Sequence, residues 1–171
     1  MKIVVAPGAE RLGHLAAEHT ARAIGEAIAL RGEARIALST GASQFEMFKA
    51  LTGMPVDWGR VTMFHLDEYM GLPITHPASF RKYLQERFVS KVGLKAAHFV
   101  DGTAEGITRL TELIREAPVD LGLIGIGENA HIAFNDPPAD FDTREAYIVV
   151  HLNERCKRQQ VGEGWFATPD D

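Results

Sequence analysis

The feature that most constrains this chain is its alternation of short apolar runs with longer stretches of helical periodicity. The run VDLGLIGIG at 119–127 is nearly continuously apolar, as a strand covered on both faces must be. Strands that alternate with helices of ten or more residues indicate a mostly parallel sheet rather than a sandwich or a bundle. The pattern therefore predicts an α/β architecture built around a buried sheet.

Six segments are predicted as strands and five as helices. The predicted strands are 2–6, 34–39, 61–66, 98–100, 119–127 and 146–152. Apolar residues recur at helical spacing in 12–28, 45–51, 80–88 and 107–114, and a fifth helix follows Asn153, a good N-cap residue. We expect one domain over residues 1–171, a doubly wound, Rossmann-like sheet with helices on both faces. Such a sheet would continue past the fifth helix, so we also expect a truncated C-terminus.

Composition and charge argue against several functional classes. The net charge is −5 and no cluster of lysines and arginines is present, which disfavours a nucleic-acid surface. Cys156 is the only cysteine, so neither an internal disulfide nor a cysteine-based zinc site is expected. The apolar run between Lys2 and Pro7 is too short for a signal peptide, and no run approaches the length of a membrane span. We therefore expect a cytoplasmic protein without a membrane partner.

Three polar segments follow predicted strands at the points where those strands end. They are LSTGAS at 38–43, HLDEYMG at 65–71 and GIGENAHIAFNDP at 125–137. In open parallel sheets, ligands bind beyond the carboxyl ends of the strands. Each segment is therefore a candidate part of one site.

The first segment has the composition of an anion-binding turn. Ser39, Thr40, Gly41, Ala42 and Ser43 are small, so a phosphate can approach the backbone N–H groups at the start of the next helix. The hydroxyl groups add further donors. The alternative is an ordinary strand–helix turn in which Ser43 is the N-cap.

The second segment places two adjacent carboxylates at the end of a strand. Asp67 and Glu68 repel each other, and desolvation of either one would make it a base. The alternative is a solvated acidic loop. A metal site is disfavoured because His65 and Asp67 have no third ligand near them in sequence. His76, further along the loop, is a weaker candidate.

The third segment combines a tight turn with an imidazole. Gly125 and Gly127 permit close approach of the backbone to a ligand. His131 has Asn129 two residues before it and Asp136 five residues after it, a pattern typical of a general acid or base oriented by polar partners. The alternatives are a lone loop histidine and a dinucleotide-binding turn, and the second is disfavoured because the third glycine is missing.

Together, LSTGAS, HLDEYMGLPITHPASFRKYL and GIGENAHIAFNDPPADF resemble the glucosamine-6-phosphate deaminase family, which shares its fold with the 6-phosphogluconolactonases. The resemblance extends over residues 34–144, with the segments in the same order and at similar spacing. The tripeptide DEY at 67–69 favours the deaminases, because the lactonases typically carry Asp-Glu-Arg there.

The resemblance implies a role for each segment. Asp67 matches the base that moves a proton between C2 and C1 of the open-chain sugar, and His131 matches the histidine that assists ring opening. Asn129 and Asp136 stand where the family has Asp and Glu, which orient that histidine. Residues 39–43 match the phosphate loop. The implied reaction converts glucosamine 6-phosphate and water to fructose 6-phosphate and ammonia, with no metal and no organic cofactor.

Three departures from the family pattern leave other readings open. Asn129 replaces an acid, Asp136 is one methylene shorter than Glu and is expected to need a backbone shift to reach the histidine, and Ala130 replaces a glycine. The alternatives are a related phosphosugar isomerase or lactonase, and a catalytically weakened sugar-phosphate binding or regulatory protein. In each case the expected partner is a small phosphosugar. Assembly into a homo-oligomer is left open.

Overall fold

The centre of the computed structural model, which describes residues 2–127, 129–162 and 164–168, is a four-stranded parallel sheet. The strands are β1 (Ala34–Leu38), β2 (Val61–His65), β3 (Ala96–His98) and β4 (Leu121–Leu123), in the spatial order β3-β2-β1-β4. The α-helices are α1 (Ala9–Arg31), α2 (Phe45–Leu51), α3 (Phe80–Arg87), α4 (Ala104–Arg115) and α5 (Glu154–Gly162). The α/β prediction is confirmed. No helix in the described ranges has the length and apolarity needed to cross a membrane.

One face of the sheet carries the main hydrophobic core. Alternate residues of β1 and β2 on this face, including Ile36, Leu38 and Met63, are fully buried. They pack against α1, α2 and α3, from which Ile24 and Phe48 are also buried. Full burial of a side chain of this size contributes about 1.5–3 kcal/mol. This packing holds the strands in register, and so fixes where their carboxyl ends lie.

The opposite face is organised around Arg35, a buried cation on β1. Its guanidinium donates to the carbonyl oxygens of Leu113 and Ala117 at the end of α4, and it lies 4.8 Å from the centre of the Phe64 ring. The last carbonyl groups of a helix lack partners within the helix and carry a partial negative charge. Arg35 therefore anchors α4 to this face, and helices lie on both sides of the sheet as predicted.

Two predicted strands, 2–6 and 146–152, are wrong. In both segments the described residues form no strand, and Ile3 and Val5 are 74% and 89% exposed. The Tyr147 hydroxyl donates to the carbonyl of His65 at 3.0 Å, so the second segment contacts the end of β2 instead of extending the sheet. A strand needs a neighbour for its backbone hydrogen bonds. β-Branched composition predicts the conformation but cannot supply that neighbour.

Other boundaries follow from local chemistry. Gly32 ends α1 in the left-handed conformation, with φ of 84°, and its N–H donates to Ile28 O at 2.7 Å, as a C-terminal stop does. The Asn153 side chain accepts from Cys156 N at 2.9 Å, which confirms it as an N-cap. The run at 119–127 is strand only over Leu121–Leu123, because the chain then leaves the sheet.

Two glycines of α1 provide a matched test of this packing. A Cβ atom added at Gly13 would lie 2.6 Å from the backbone carbon of Glu46 on α2, whereas one at Gly25 would meet nothing within 4 Å. We expect Gly13→Ala to lower the free energy of unfolding by about 1–3 kcal/mol, because the helices must separate. Gly25→Ala should raise it by about 0.5–1 kcal/mol through helix propensity. Urea unfolding followed by circular dichroism measures both, and equal effects would contradict the close α1–α2 contact.

Candidate functional site

The three polar segments predicted from sequence line one cavity of about 330 Å³. β1 pairs in parallel with β2 on one side and β4 on the other, so the carboxyl ends of the three strands are adjacent. The cavity is bordered by the turn at 39–43, by Asp67 after β2, and by Gly125, Gly127 and His131 after β4. The predicted anion turn, carboxylate and imidazole therefore surround a common space.

Ser39 joins the first segment to the third. It is 4% exposed; its hydroxyl donates to Leu123 O at 3.1 Å and accepts from Gly125 N at 2.8 Å. The Gln44 side-chain amide lies 2.9 Å from the same oxygen. The Ser39 hydroxyl thus has a structural role, because it links the turn after β1 to the turn that contains Gly125 after β4.

The rest of the turn also borders the cavity. Gly41 has φ of 150°, and its carbonyl accepts from the Tyr83 hydroxyl at 2.8 Å. Residues 42–44 form a short 3-10 helix, and Ala42 and Ser43 at its start are part of the cavity wall. The first N–H groups of such a turn have no partner within it. Ser43 lies inside that turn rather than capping α2, whose N-cap position is Gln44. The N-cap alternative for Ser43 is wrong, and Thr40 and Ser43 both border the cavity.

Asp67 is a poorly solvated carboxyl group. Burial raises its pKa to about 7, and the neighbouring negative charge of Glu68 adds to the shift. Asp67 also borders a second, mostly apolar cavity of about 320 Å³, lined in part by Val100, Ile107 and Val149. Burial and these apolar surroundings make the ionised form a stronger base than an exposed aspartate.

His131 is held by two polar side chains behind it. Its Nδ1 contacts Asn129 Oδ1 and lies 3.4 Å from Asp136 Oδ1, and Asn129 Nδ2 donates to the same oxygen of Asp136. Because both neighbours of Nδ1 are acceptor oxygens, we assign the proton to Nδ1. This assignment leaves Nε2 to accept a proton from a ligand or return one.

Asp136 reaches the histidine in spite of its short side chain. Its carboxylate is 4% exposed and also accepts from Asn153 Nδ2, which donates to Pro137 O at 2.7 Å as well. The amides of Asn129 and Asn153 therefore satisfy the buried charge on both of its oxygens. Asn153 was predicted only as a helix cap, and its contact with Asp136 depends on folding that local sequence does not reveal.

The turn before His131 has no space for a side chain at residue 127 and gives residue 130 a strained backbone conformation. A Cβ atom at Gly127 would lie 2.2 Å from Cε1 of the His131 ring, so the ring packs directly on the backbone. Ala130 adopts φ of 67°, and its N–H donates to Gly127 O at 2.9 Å. The left-handed conformation costs a residue with a Cβ about 1–2 kcal/mol. Ala130 thus stands at a position where glycine would be unstrained.

Sequence reasoning did not single out one wall of the cavity. Gln159 and Gln160 of α5 border it, as does Trp165, which is 42% exposed. Gln160 is held by the Tyr69 hydroxyl, which donates to its Oε1 at 2.7 Å. The start of α5 was predicted, but the face that it turns to the cavity depends on tertiary docking.

Charged groups at the cavity wall are few. Among the described residues that border it, the acidic residue is Asp67, and neither lysine nor arginine occurs. His76 lies outside this wall, where its Nδ1 accepts from Ala78 N at 3.1 Å and its ring stacks on Phe166. Within the described part of the chain, no group of three or more His, Cys, Asp or Glu is placed to hold a metal ion.

Comparison with known proteins identifies the family. A family model described as glucosamine-6-phosphate isomerases/6-phosphogluconolactonase matches residues 7–161. The chain belongs to this family. The match includes all three segments that border the cavity, so the geometry above is that of a family member.

Individual relatives agree with this assignment. The chain is 33% identical over 147 residues to a glucosamine-6-phosphate deaminase of Lactobacillus delbrueckii subsp. bulgaricus, covering 84% of the chain and 61% of the relative. It is 35% identical over 155 residues to a deaminase of the same name from Streptomyces avermitilis, covering 84% and 58%. The chain thus spans about three fifths of the length of these relatives.

Solved structures show the same fold. A monomeric glucosamine-6-phosphate deaminase superposes with a TM-score of 0.84 at 28% identity, covering all of this chain and 72% of that one. A 6-phosphogluconolactonase from Shewanella baltica superposes with a TM-score of 0.67 at 22% identity, covering 77% and 59%. At that identity the second likeness shows the fold alone.

The raised pKa of Asp67 predicts a pH-dependent stability. The neutral carboxyl favours the folded state fully below about pH 4, and this contribution is lost as the pH rises to about 7. Asp67→Asn should therefore raise the free energy of unfolding at pH 8 by about 1–2 kcal/mol, a discounted figure because the carboxyl retains contact with the cavity. The gain should shrink toward zero near pH 4. Denaturant titrations at several pH values measure it, and a gain that does not depend on pH would contradict the shifted pKa.

The strain at Ala130 gives a second test at the site. Ala130→Gly should raise the free energy of unfolding by about 1 kcal/mol, because glycine adopts positive φ without a steric penalty. Ala29→Gly, at an exposed position of α1, is the control and should lower it by about 1 kcal/mol. Thermal unfolding of both variants checks the sign, and destabilisation by both would mean that Ala130 is not strained.

Proposed function

We propose that this protein is a glucosamine-6-phosphate deaminase, which converts glucosamine 6-phosphate and water to fructose 6-phosphate and ammonia. The observation that carries the proposal is the shared cavity, in which Asp67, His131 and the 39–43 turn face one small volume. The relatives from Lactobacillus and Streptomyces carry this name. No metal or organic cofactor is needed for the steps described below.

The 39–43 turn would bind the phosphate group. Its small residues leave the backbone N–H groups of the 3-10 turn accessible, and the hydroxyls of Thr40 and Ser43 border the same space. Backbone amides at the start of a helical turn donate to anions and carry a partial positive charge. Phosphate bound there would place the sugar ring between Asp67 and His131.

His131 would serve the ring-opening step. With its proton on Nδ1 held by Asn129 and Asp136, Nε2 accepts the proton of the anomeric hydroxyl and returns a proton to the ring oxygen. The carboxylate of Asp136 stabilises the imidazolium that forms between these two transfers. The products of this step are the open-chain amino aldehyde and the original imidazole.

Asp67 would carry out the following proton transfer. The C2 proton is weakly acidic, so its removal requires a carboxylate that is both positioned and poorly solvated. Asp67 takes this proton and delivers it to C1, while a second proton passes from the amino nitrogen to O1, so that the C1 aldehyde becomes a hydroxymethyl group and C2 becomes an imine. Water adds to the imine carbon and ammonia leaves, so the ketose is formed without gain or loss of electrons.

The geometry favours an enzyme over the binding or regulatory alternative. Asn129 and Asp136, two of the departures that motivate that alternative, keep His131 oriented and supply one negative charge behind it. A lactonase or isomerase acting on another phosphosugar would use the same cavity and is an outcome of the test below. A cytoplasmic location and homo-oligomer formation stay predictions from the sequence.

The decisive experiment is a coupled assay for ammonia and fructose 6-phosphate, with glucosamine 6-phosphate as substrate. We expect both products in equal amounts, and kcat/KM should rise with pH through about 7, where Asp67 loses its proton. Asp67→Asn should lower kcat by roughly 100-fold to 10,000-fold, the usual contribution of a general base.

Asp57→Asn is the matched control. Asp57 is an exposed aspartate that pairs with Arg60 outside the cavity, so this variant should retain wild-type rates. Binding of glucosamine 6-phosphate without ammonia release would favour the regulatory reading. Turnover of 6-phosphogluconolactone in its place would favour the lactonase reading, and either result would overturn the proposal.

A further inference from the structure

The second acid of the DEY segment, Glu68, is buried more completely than Asp67, and it borders the 320 Å³ cavity but not the 330 Å³ cavity. Its side chain is fully buried, and Asp67, rather than Glu68, borders the 330 Å³ cavity. A buried carboxylate is costly unless charge and hydrogen bonds compensate it. The surroundings of Glu68 show how this cost is met.

Both oxygens of Glu68 accept hydrogen bonds from the far end of the following loop, and one of them also accepts from the next residue, Tyr69. Oε1 accepts from Tyr69 N at 3.0 Å and from Phe80 N at 3.2 Å. Oε2 accepts from Ser79 Oγ at 2.9 Å and from Arg81 N at 2.9 Å. Phe80 and Arg81 begin α3, so the carboxylate occupies the positive end of that helix.

Arg81 completes the arrangement as the counterion. Its Nε lies 3.3 Å from Glu68 Oε2, it is 14% exposed, and its guanidinium also donates to Leu72 O in the middle of the loop. The ion pair therefore holds the two ends of the 69–79 loop together. The end of this loop and the start of α3 form part of the cavity wall, through Pro77, Ala78, Ser79 and Phe80.

We propose that Glu68 is a positioning residue. Together with Arg81 it fixes the 69–79 loop and keeps the adjacent Asp67 carboxyl group at the 330 Å³ cavity, where Asp67 can act as the base. The inference rests on the proposed function only in taking Asp67 as the group that moves the substrate proton. Glu68 itself does not border the 330 Å³ cavity, in which the sugar would bind.

The charges around Asp67 make the idea testable. Its charged neighbour is Glu68, which pairs with Arg81 on α3. Tyr83 and His131 border the 330 Å³ cavity together with Asp67, Tyr69 and Tyr147 border the 320 Å³ cavity, and His65 is the last residue of β2. Burial lowers the pKa of His65 to about 3 and raises the pKa of Tyr83 to about 12, so both are neutral at working pH. The charge that raises the pKa of Asp67 is therefore that of Glu68, whose ion-pair partner is Arg81.

The experiment is a direct titration of Asp67 by ¹³C NMR of the aspartate side-chain carboxyls, with Asp67→Asn used to identify the signal. Glu68→Gln removes the neighbouring negative charge and should lower the pKa of Asp67 by about one unit. Arg81→Gln leaves that negative charge without its counterion and should raise the pKa. Arg81→Lys retains the cation and should leave the pKa at its wild-type value.

Opposite shifts distinguish positioning by charge from simple loosening of the loop. If the loop simply loosened, water would reach Asp67 in both Glu68→Gln and Arg81→Gln and would lower the pKa of Asp67 in both. That result would overturn the proposal, and so would an unchanged pKa in both variants. If Glu68→Gln does not fold, the Arg81 variants decide alone: a rise in Arg81→Gln with none in Arg81→Lys supports the proposal, and any other result overturns it.

The titration requires no substrate, so its outcome is separate from that of the activity assay. Opposite shifts in a protein that releases no ammonia would leave the positioning role standing and remove the proposed reaction. In an active protein, the midpoint of the kcat/KM profile should move in the same direction as the titrated pKa in each variant.

Discussion

The parallel pairing of β1 with both β2 and β4 is the constraint on which the rest of the molecule depends. Parallel strands send their carboxyl ends to the same edge, and the central position of β1 makes the three following loops neighbours. The core formed with α1, α2 and α3 fixes that register, and the Ser39 hydroxyl extends it beyond the last paired residues. The turn at 39–43, the Asp67 carboxyl group and the His131 imidazole are thereby brought together from segments that are far apart in sequence.

The three acidic residues at the site, Asp67, Glu68 and Asp136, have different surroundings. Asp67 borders the 330 Å³ cavity with a poorly solvated carboxyl group. Glu68 is buried, and its negative charge is compensated by Arg81 and by N–H groups at the start of α3. Asp136 stands behind His131, where the amides of Asn129 and Asn153 hold it. Asp67 and Glu68, two and three residues after the end of β2, are thus neighbours in sequence with different environments.

Much of this arrangement could be predicted from the sequence, because it depends on local signals. Helix caps at Asn153 and Gly32, the strand at 34–38 and the polar segments after three strands are all short-range features. The segments 2–6 and 146–152 failed as strands because pairing needs a partner, which β-propensity does not reveal. The wall formed by Gln159, Gln160 and Trp165 was missed because the docking of α5 is a tertiary contact.

The apolar cavity behind Asp67 has a consequence for how this family can diversify. Val100, Ile107 and Val149 line the 320 Å³ cavity that Asp67 also borders, and none of the three borders the 330 Å³ cavity. Enlarging or shrinking them would change how much water reaches the carboxyl group, and so its pKa, without altering the wall of the 330 Å³ cavity. Substitutions in one cavity would therefore change the basicity of Asp67 separately from the composition of the other.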